Sequence, residues 1–278
     1  MPGVKGLIKA WIPPAILHAY HGLRGDAIRF QGNYPTWESA RAASCGYDDN
    51  AIFQKTRAAA LMVKRGEAAY ERDAVIFDRV EFDFPLLAAI LRGACKADGN
   101  LRVLDVGGGL GTTYRQFKAF GVSLHSLRWT IVEQPRFVEA GRTEFADQEL
   151  RFVSTFAEAV QEGPPDVVLL ASVLQYVEHP YRLIEEVSST PCRSIVIDRT
   201  PCVNDSRDVL TVQVVPASIY EASYPCWIFS HGKLMDAFSV HHRLVASFEE
   251  AGGPWSYDRG AFGLQGFLFD RVRPSDAR

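Results

Sequence analysis

The chain has few cysteines, and their arrangement argues against two classes of protein. Five occur among the 278 residues, an odd number, widely spaced and without metal-ligand spacing: Cys45, Cys95, Cys192, Cys202 and Cys226. A secreted disulfide framework favours an even number, and a zinc site needs closely spaced ligand pairs. We therefore expect free thiols, a cytoplasmic location and no bound metal.

Long apolar runs and an excess of basic charge are also absent. No run approaches the roughly eighteen apolar residues of a membrane span, and no signal-peptide cleavage pattern occurs. The chain has 30 Lys and Arg against 33 Asp and Glu, a net charge of −3, so nothing predicts a nucleic-acid partner. We find no internal repeat. The hydrophobic content of 47% suffices for one large core.

The N-terminal stretch has a helical apolar pattern that ends at Pro13-Pro14. Lys5 and Lys9 make this stretch basic. One interpretation is an interfacial helix in weak peripheral contact with anionic lipid, and the other is a short helix packed on its own domain.

Residues 101–111, LRVLDVGGGLG, are the most informative segment. An apolar strand runs into Asp105 and then into Gly107, Gly108, Gly109 and Gly111. Glycine permits a positive φ and a close approach of the backbone to a ligand. The dinucleotide fingerprint would need glycine or alanine where Thr112 stands. A tight turn without a ligand is the other alternative.

The spacing D-x-G-x-G-x-G resembles the first motif of class I S-adenosylmethionine-dependent methyltransferases. The resemblance implies S-adenosylmethionine as cofactor, with the four glycines and Asp105 shaping its pocket. A second strand ends at Glu133, followed by Gln134. In open α/β sheets a carboxylate there reaches ribose hydroxyls, which predicts ribose binding, although an ordinary exposed acid is possible.

The pattern after residue 100 alternates strands with helices, which is typical of a doubly wound sheet. Strands are predicted near 102–106, 128–133, 150–154, 166–171 and 194–198, with a closing hairpin near 254–259 and 265–272. This order is similar to the class I methyltransferase fold, a mostly parallel seven-stranded sheet. We predict a helical N-terminal cap over 1–98 and a cofactor-binding domain over 99–278, with a lid insertion at 202–231.

A narrower likeness extends over nearly the whole chain. The phrases that carry it are GNYPTWESA (32–40), GYDDNAIFQK (46–55), AAYERDAVIF (68–77), LDVGGGLGTTYRQF (104–117), WTIVEQP (129–135), VLQYVEHP (173–180), DRTP (198–201) and SYPCWIFS (223–230). Together they resemble methyltransferase-like proteins encoded among bacterial polysaccharide-biosynthesis genes. That resemblance implies the cofactor and the fold more firmly than the acceptor.

Further cofactor contacts are predicted at three places. Ser154, Thr155 and Phe156 follow the third strand and would meet the adenine, although either hydroxyl would also cap a helix. The loop after the fourth strand should line the methionine side of the cofactor through Ser172, Val173 and Leu174. Tyr70 and Arg72 lie in the cap region, where Arg72 would bind the methionyl carboxylate or else belong to a solvated charged helix face.

The acceptor side is predicted from the segment 202–231. Its aromatic residues would form a wall for a sugar or a planar molecule, or else a hydrophobic plug: Tyr220, Tyr224 and Trp227. His231 is the preferred general base, with Tyr176 and Asp198 as alternatives. His241 and His242 have the pattern of helix residues.

These patterns predict a metal-independent methyltransferase that acts on a small-molecule or glycan-linked acceptor. The alternatives are an oxidoreductase with a nucleotide cofactor and a non-catalytic module that only binds the cofactor.

Overall fold

A computed structural model describes residues 28–45, 49–72, 74–216, 222–250 and 254–272. The predicted N-terminal helix and Tyr220 lie outside these ranges. The strands are β1 Arg29–Gln31, β2 Tyr70–Arg72, β3 Val75–Phe77, β4 Asn100–Val106, β5 Ser126–Val132, β6 Leu150–Val153, β7 Val167–Ala171, β8 Ser194–Val203, β9 Val209–Val215, β10 Ala222–Ser230, β11 His242–Glu249, β12 Trp255–Tyr257 and β13 Gly260–Arg271.

Eight α-helices lie within the described ranges. They are α1 Trp37–Ala42, α2 Asp49–Lys64, α3 Phe84–Lys96, α4 Thr112–Ala119, α5 Pro135–Ala140, α6 Phe156–Val160, α7 Pro180–Ser189 and α8 His231–Ser239. A π-turn, Gly141–Phe145, continues α5, and a 3₁₀ turn, Leu174–Tyr176, follows β7.

Seven strands form a continuous hydrogen-bonded path in the order β6-β5-β4-β7-β8-β13-β11. The first five are mutually parallel, and β13 runs antiparallel to both of its neighbours. Successive residues of β7 belong alternately to two apolar clusters, which places one cluster on each face of the sheet. The order reverses between β4 and β7, because the chain winds outward through β5 and β6 and then returns beside β4.

The sheet is mixed and larger than the mostly parallel seven-stranded sheet that the sequence predicts. Four further strands, β10, β9, β1 and β12, connect β8 back to β13 and close a six-stranded barrel. Its apolar cluster contains Phe30, Val203, Val209, Ile228 and Phe262. The barrel therefore continues the main sheet through the second half of β8 and the first half of β13.

The described part of the segment 202–231 is mostly strand rather than loop. It holds the end of β8 and the antiparallel pair β9–β10, whose register runs from Ala222 opposite Val215 to Ile228 opposite Val209. Proline and aromatic residues suggest a loop in the sequence, but β9 is an apolar strand, VLTVQVV. Its Val209 belongs to the apolar cluster of the barrel, whereas Leu210 and Val212 pack with Ala40 of α1. Whether this hairpin moves as a lid stays a prediction.

Helix α3, which belongs to the predicted cap region, packs into the main core. Asp83 caps it by accepting the Leu86 N–H at 3.0 Å, and Leu87 and Ile90 are buried beside strand residues. The same region contains β1 and the hairpin β2–β3, so it is not purely helical. His242 begins a strand rather than lying in a helix, because β11 pairs with β13 along most of its length.

Candidate functional site

The glycine turn connects β4 to α4 at the point where the strand order reverses. Gly107, Gly109 and Gly111 have φ values of +71°, +57° and +96°, a region that residues with a Cβ rarely adopt. A Cβ built on Gly109 would meet no described atom within 4 Å, so this part of the turn faces open space. Ligands in doubly wound sheets bind at this switch point, beside the carboxyl ends of the strands.

Asp105 supports the turn from below. Its carboxylate accepts a hydrogen bond from Trp129 Nε1 at 3.1 Å, and a Cβ on Gly108 would lie 2.5 Å from it. The other oxygen, Oδ1, is buried without a hydrogen bond from any described residue. Burial is the main cause that raises the pKa of Asp105 to about 7, and the charge of Glu133 adds to it. The carboxyl group is thus held beneath the backbone that a ligand would touch.

Glu133 joins the end of β5 to the glycine turn. Its carboxylate accepts the Gln134 N–H at 2.6 Å and interacts with the Gly109 N–H. Burial raises its pKa, while these two backbone groups oppose the shift. Because Glu133 already lies against the turn, its oxygens are within the site that the sequence predicts for ribose hydroxyls.

The loop after β7 forms the other side of the turn. A Cβ on Gly107 would lie 2.6 Å from Val173 Cγ2, so these two residues are in close contact. Ser172 has a φ of +55°, and its N–H donates to the Asp198 carbonyl at 2.9 Å. Leu174 is fully buried in the core. Of the three predicted residues here, Val173 borders the turn, Ser172 contacts Asp198 of β8, and Leu174 anchors the loop.

Asp198 is buried in β8 and is the last residue that β8 pairs with β7, opposite Ala171. Burial raises its pKa to about 7; the Arg199 guanidinium lowers it, and Asp83 and Glu250 raise it. Arg199 Nε lies 3.5 Å from Asp198 Oδ2. The same guanidinium also lowers the pKa of Asp105, so the positive charge of Arg199 acts on the carboxyl group beneath the glycine turn.

The hairpin β2–β3 covers the start of α4. Glu71 is buried, accepts a hydrogen bond from Thr112 Oγ1, and pairs with Arg115 Nη2 at 3.1 Å. Tyr70 is also buried and accepts from Gln116 Nε2 at 3.2 Å. The hairpin is therefore tied directly to the helix that follows the glycine turn.

Arg72 has partners within the chain, while its contact with the methionyl carboxylate stays a prediction. It lies 3.6 Å from Glu81 and over the Phe77 ring. Burial raises the pKa of Tyr70, whereas the charges of Arg72 and Arg199 lower it. Arg199 is thus a second guanidinium beside this hairpin.

The residues predicted to meet the adenine lie at the start of α6, where they cap the helix. Thr155 Oγ1 accepts the Glu158 N–H at 3.1 Å at the start of α6, and Glu158 Oε2 accepts the Ser154 N–H at 2.9 Å. Phe156 is half-buried against the adjacent core. Both hydroxyl-bearing residues are exposed beyond the end of β6, so a ligand contact stays a prediction beside the observed cap.

The acceptor-side aromatics form two contacts between the barrel and the loop after β7. Tyr176 donates to Gln213 Oε1 at 3.0 Å and packs edge-on against Tyr224 with ring centroids 5.3 Å apart. Trp227 Nε1 donates to the Val177 carbonyl at 3.1 Å and stacks on Trp37. Tyr224 and Trp227 lie on opposite faces of β10, and both faces therefore contact the loop after β7.

His231 occupies another position. It is the first residue of α8, which Ser230 caps, and its ring lies edge-on to Phe267 at 5.6 Å. Among the described residues, no hydrogen bond, ion pair or ring contact joins the His231 side chain to Tyr176 or to Asp198. The role of His231 as a base stays a prediction without geometric support of this kind.

One residue of the site, Arg199, is missed by sequence reasoning. Its side chain is half-buried, and its Nε lies 3.5 Å from Asp198 Oδ2. A short polar phrase at a strand end does not show which side chain turns inward. The phrase DRTP, a charged pair at a strand end, was the available signal for Arg199.

Two features are absent from the residues that the structure describes. No group of three or more His, Cys, Asp and Glu side chains there has an arrangement that would hold a metal ion. No helix among them is long and apolar enough to cross a membrane.

No family model matches the chain, and no curated protein matches it. Among solved structures it is similar to the N-terminal domain of EvdMO1 with S-adenosylhomocysteine and D-fucose, at 14% identity over 82% of this chain and 98% of that chain, with a TM-score of 0.47. A 1,6-didemethyltoxoflavin-N1-methyltransferase from Burkholderia thailandensis, with S-adenosylhomocysteine bound, is 15% identical over 82% and 92%, with a TM-score of 0.42.

The N-methyltransferase NodS from Bradyrhizobium japonicum WM9, in complex with S-adenosylhomocysteine, is 15% identical over 70% of this chain and 90% of that chain, with a TM-score of 0.43. All three TM-scores are below 0.5.

Proposed function

We propose that this chain is an S-adenosylmethionine-dependent methyltransferase that acts on a small-molecule or glycan-linked acceptor. The observation that carries the proposal is the glycine turn at the strand-order reversal, with Gly109 at positive φ facing open space and Glu133 against it. A glycine turn that only reversed the chain would not require a half-buried carboxylate from the next strand.

The residues present fit this cofactor. Glu133 would hold the ribose hydroxyls, since a carboxylate accepts from two neighbouring donors. The backbone around Gly107 and Gly109 would lie against the methionine part, and Ser172 and Val173 would border it. Tyr70, Ser154, Thr155 and Phe156 complete the proposed set at the edges of the pocket.

When bound, the cofactor supplies an electrophilic methyl group, so the protein has little donor activation to perform. Its own residues must align the acceptor, exclude water and accept a proton from a hydroxyl or an ammonium. The positions suited to alignment are Tyr176, Tyr224 and Trp227, because contacts between the barrel and the loop after β7 fix each of them.

The rival function, a nucleotide-dependent oxidoreductase, has weaker support from the site. The side chain of Thr112 donates to buried Glu71, where the dinucleotide fingerprint would place a glycine or an alanine. This pair links α4 to the hairpin β2–β3, so Thr112 has a structural partner that glycine or alanine would not provide.

A ligand-dependent melting experiment tests the proposal. S-adenosylhomocysteine should raise the melting temperature, because a ligand that binds only the folded state stabilises it. Gly109→Val should abolish the shift, since its side chain would enter the open space. Gly121→Val is the matched control, because Gly121 also has a positive φ, +78°, and an open Cβ position.

Both variants carry a comparable backbone strain, but only the first lies at the site. A melting shift with NADH and none with millimolar S-adenosylhomocysteine would reject the methyltransferase. A normal S-adenosylhomocysteine shift in folded Gly109→Val would remove the turn from the cofactor site.

A further inference from the structure

The end of β7 and the middle of β8 carry two strained residues that are connected to each other. Ser172 and Arg199 have φ values of +55° and +47°, although neither is glycine. The Ser172 N–H donates to the carbonyl of Asp198, the residue before Arg199, at 2.9 Å. Strained residues of this kind persist where the surrounding structure holds them, and they are concentrated at functional sites.

A β-bulge accounts for the position of Asp198 and Arg199. Ile197 lies opposite Phe267 and Thr200 lies opposite Gln265, so two residues of β8 face the single residue Gly266. Bulges re-aim side chains next to active sites. This bulge places Asp198 where its charge interacts with Asp83, at the start of α3, and with Glu250.

Two buried oxygen atoms in this unit accept no hydrogen bond from a described residue: Asp198 Oδ2 and Gln175 Oε1. The orientation of the Gln175 amide is set by its nitrogen, which donates to the Arg199 carbonyl at 3.2 Å and to Ser172 Oγ at 3.1 Å. Reversing the amide would place its oxygen against the Arg199 carbonyl oxygen. Both side chains are at least nine-tenths buried, so an unmet acceptor on each needs an explanation.

The nearby charges favour a cationic group as the missing donor. Asp83 and Glu250 act on Asp198 as like charges, and the charge facing them is Arg199, whose Nε lies 3.5 Å from Oδ2. A hydroxyl has one O–H to donate, whereas an ammonium has up to three N–H donors and no lone pair to place against oxygen.

We propose that Asp198 and Gln175 form the acceptor subsite and that it binds a primary amine, so that the enzyme is an N-methyltransferase. The proposal rests on the proposed function above and names its substrate class. The amine binds as its ammonium and donates N–H groups to Asp198 Oδ2 and Gln175 Oε1.

The subsite also performs the proton transfer that nitrogen methylation requires. One N–H bond of the ammonium breaks, its electron pair stays on nitrogen as the lone pair, and the proton forms an O–H bond with the Asp198 carboxylate. A carboxyl group whose pKa burial raises to about 7 accepts this proton more readily than an exposed one. The proton passes to solvent when the product leaves.

Small probes test the subsite without knowledge of the natural acceptor. Saturation-transfer NMR on the protein with S-adenosylhomocysteine present should detect methylammonium binding at pH 8. Trimethylammonium, with one N–H, should bind more weakly, and tetramethylammonium, with none, more weakly still. Methanol, similar in size to methylammonium but neutral, should give no competing signal.

Two variants and two controls connect the binding to these residues. Asp198→Asn and Gln175→Leu should each weaken methylammonium binding at least tenfold and leave S-adenosylhomocysteine affinity within twofold. Asp236→Asn and Gln161→Leu change exposed residues of the same types, so they should leave both measurements unchanged. For Asp198→Asn the melting temperature confirms that the protein is folded.

The proposal is overturned if tetramethylammonium binds as tightly as methylammonium, if methanol competes with it, if wild type shows no methylammonium binding, or if both folded variants bind it normally. Should S-adenosylhomocysteine bind while methylammonium does not, the amine subsite is wrong and the cofactor assignment stands. Methylammonium binding that needs Asp198, without any S-adenosylhomocysteine binding, would support the subsite and reject the methyltransferase.

Discussion

Trp129 Nε1 donates to Asp105 Oδ2 at 3.1 Å, and this contact links β5 to the floor of the glycine turn. Both residues are buried, so the hydrogen bond stabilises a carboxyl group that lies away from water. It does not fully offset the burial, since the pKa of Asp105 is raised to about 7. The turn is therefore built over a group that costs stability when ionised.

This cost predicts the behaviour of Asp105→Asn. The folded-state pKa, about 7, exceeds the ordinary value, so the native state binds more protons and stability falls as pH rises from about 4 to about 7. Asparagine keeps an acceptor for Trp129 and removes the charge. We expect the variant to be more stable than wild type by about 1–3 kcal/mol at pH 8 and equal to it near pH 4.

Urea unfolding at the two pH values measures this difference. The exposed acid in Asp236→Asn is the matched control and should show no pH-dependent gain. If Asp105→Asn is no more stable than wild type at pH 8, Asp105 is not the destabilising charge that its burial indicates.

Glu133→Ala should weaken S-adenosylhomocysteine binding by about 1.5–3 kcal/mol, roughly 10- to 150-fold, which is the range for hydrogen bonds to a charged group. The reason is the position of the carboxylate, which lies at the end of β5 and against the Gly109 N–H. Calorimetry on the folded variant measures the dissociation constant. Glu185→Ala changes an exposed acid on α7 and is the control. Equal dissociation constants for both variants and wild type would show that Glu133 does not bind the cofactor.

Trp227 and His231 are separable in steady-state kinetics, once mass spectrometry of co-purified material identifies the acceptor. Trp227→Ala removes the stack on Trp37 and the bond to the Val177 carbonyl, so KM for the acceptor should rise with little change in cofactor affinity. If His231 is the base, His231→Ala should lower kcat by about 10²–10⁴-fold. Because the His231 ring packs against Phe267, we expect His231→Ala to keep a kcat near that of wild type. We expect Asp198→Asn to lower kcat instead.

Asp270 is the strongest candidate for acid-dependent stability. Burial raises its pKa, but hydrogen bonds from Arg92, Lys96 and Ser194 outweigh this effect and hold the pKa well below its usual range. Stability from this depressed pKa is present above the unfolded-state value, near 4, and is lost as pH falls toward the folded-state value.

Asp270→Asn should therefore destabilise the protein by about 2–3 kcal/mol at pH 7, less than a fully buried pair because Arg92 and Lys96 are one-third exposed. The difference from wild type should shrink at pH 3. Chemical unfolding at both values measures it, and a loss that is equal at pH 7 and pH 3 would contradict the ionic origin.

Sequence reasoning located the parts of the site that depend on local signals. The glycine turn needs residues that tolerate positive φ, and Gly107, Gly109 and Gly111 do adopt it. Glu133 follows an apolar strand directly, so the end of that strand was enough to predict its position. The five parallel strands occur near their predicted positions, because each is a short apolar run between turn residues.

The barrel, the bulge and the hairpin contacts depended on pairing between distant segments. Phe30 meets Tyr257 and Gln213 across more than one hundred and eighty residues, and no local pattern near β1 indicates this. Arg199 takes its left-handed conformation at a β-bulge, where Asp198 and Arg199 of β8 lie opposite the single residue Gly266 of β13. Sequence alone determined where the glycine turn lies, since tolerance of positive φ is a property of residue type. Tertiary structure decided which side chains surround the turn, since hydrogen-bond register and burial exist only in the assembled sheet.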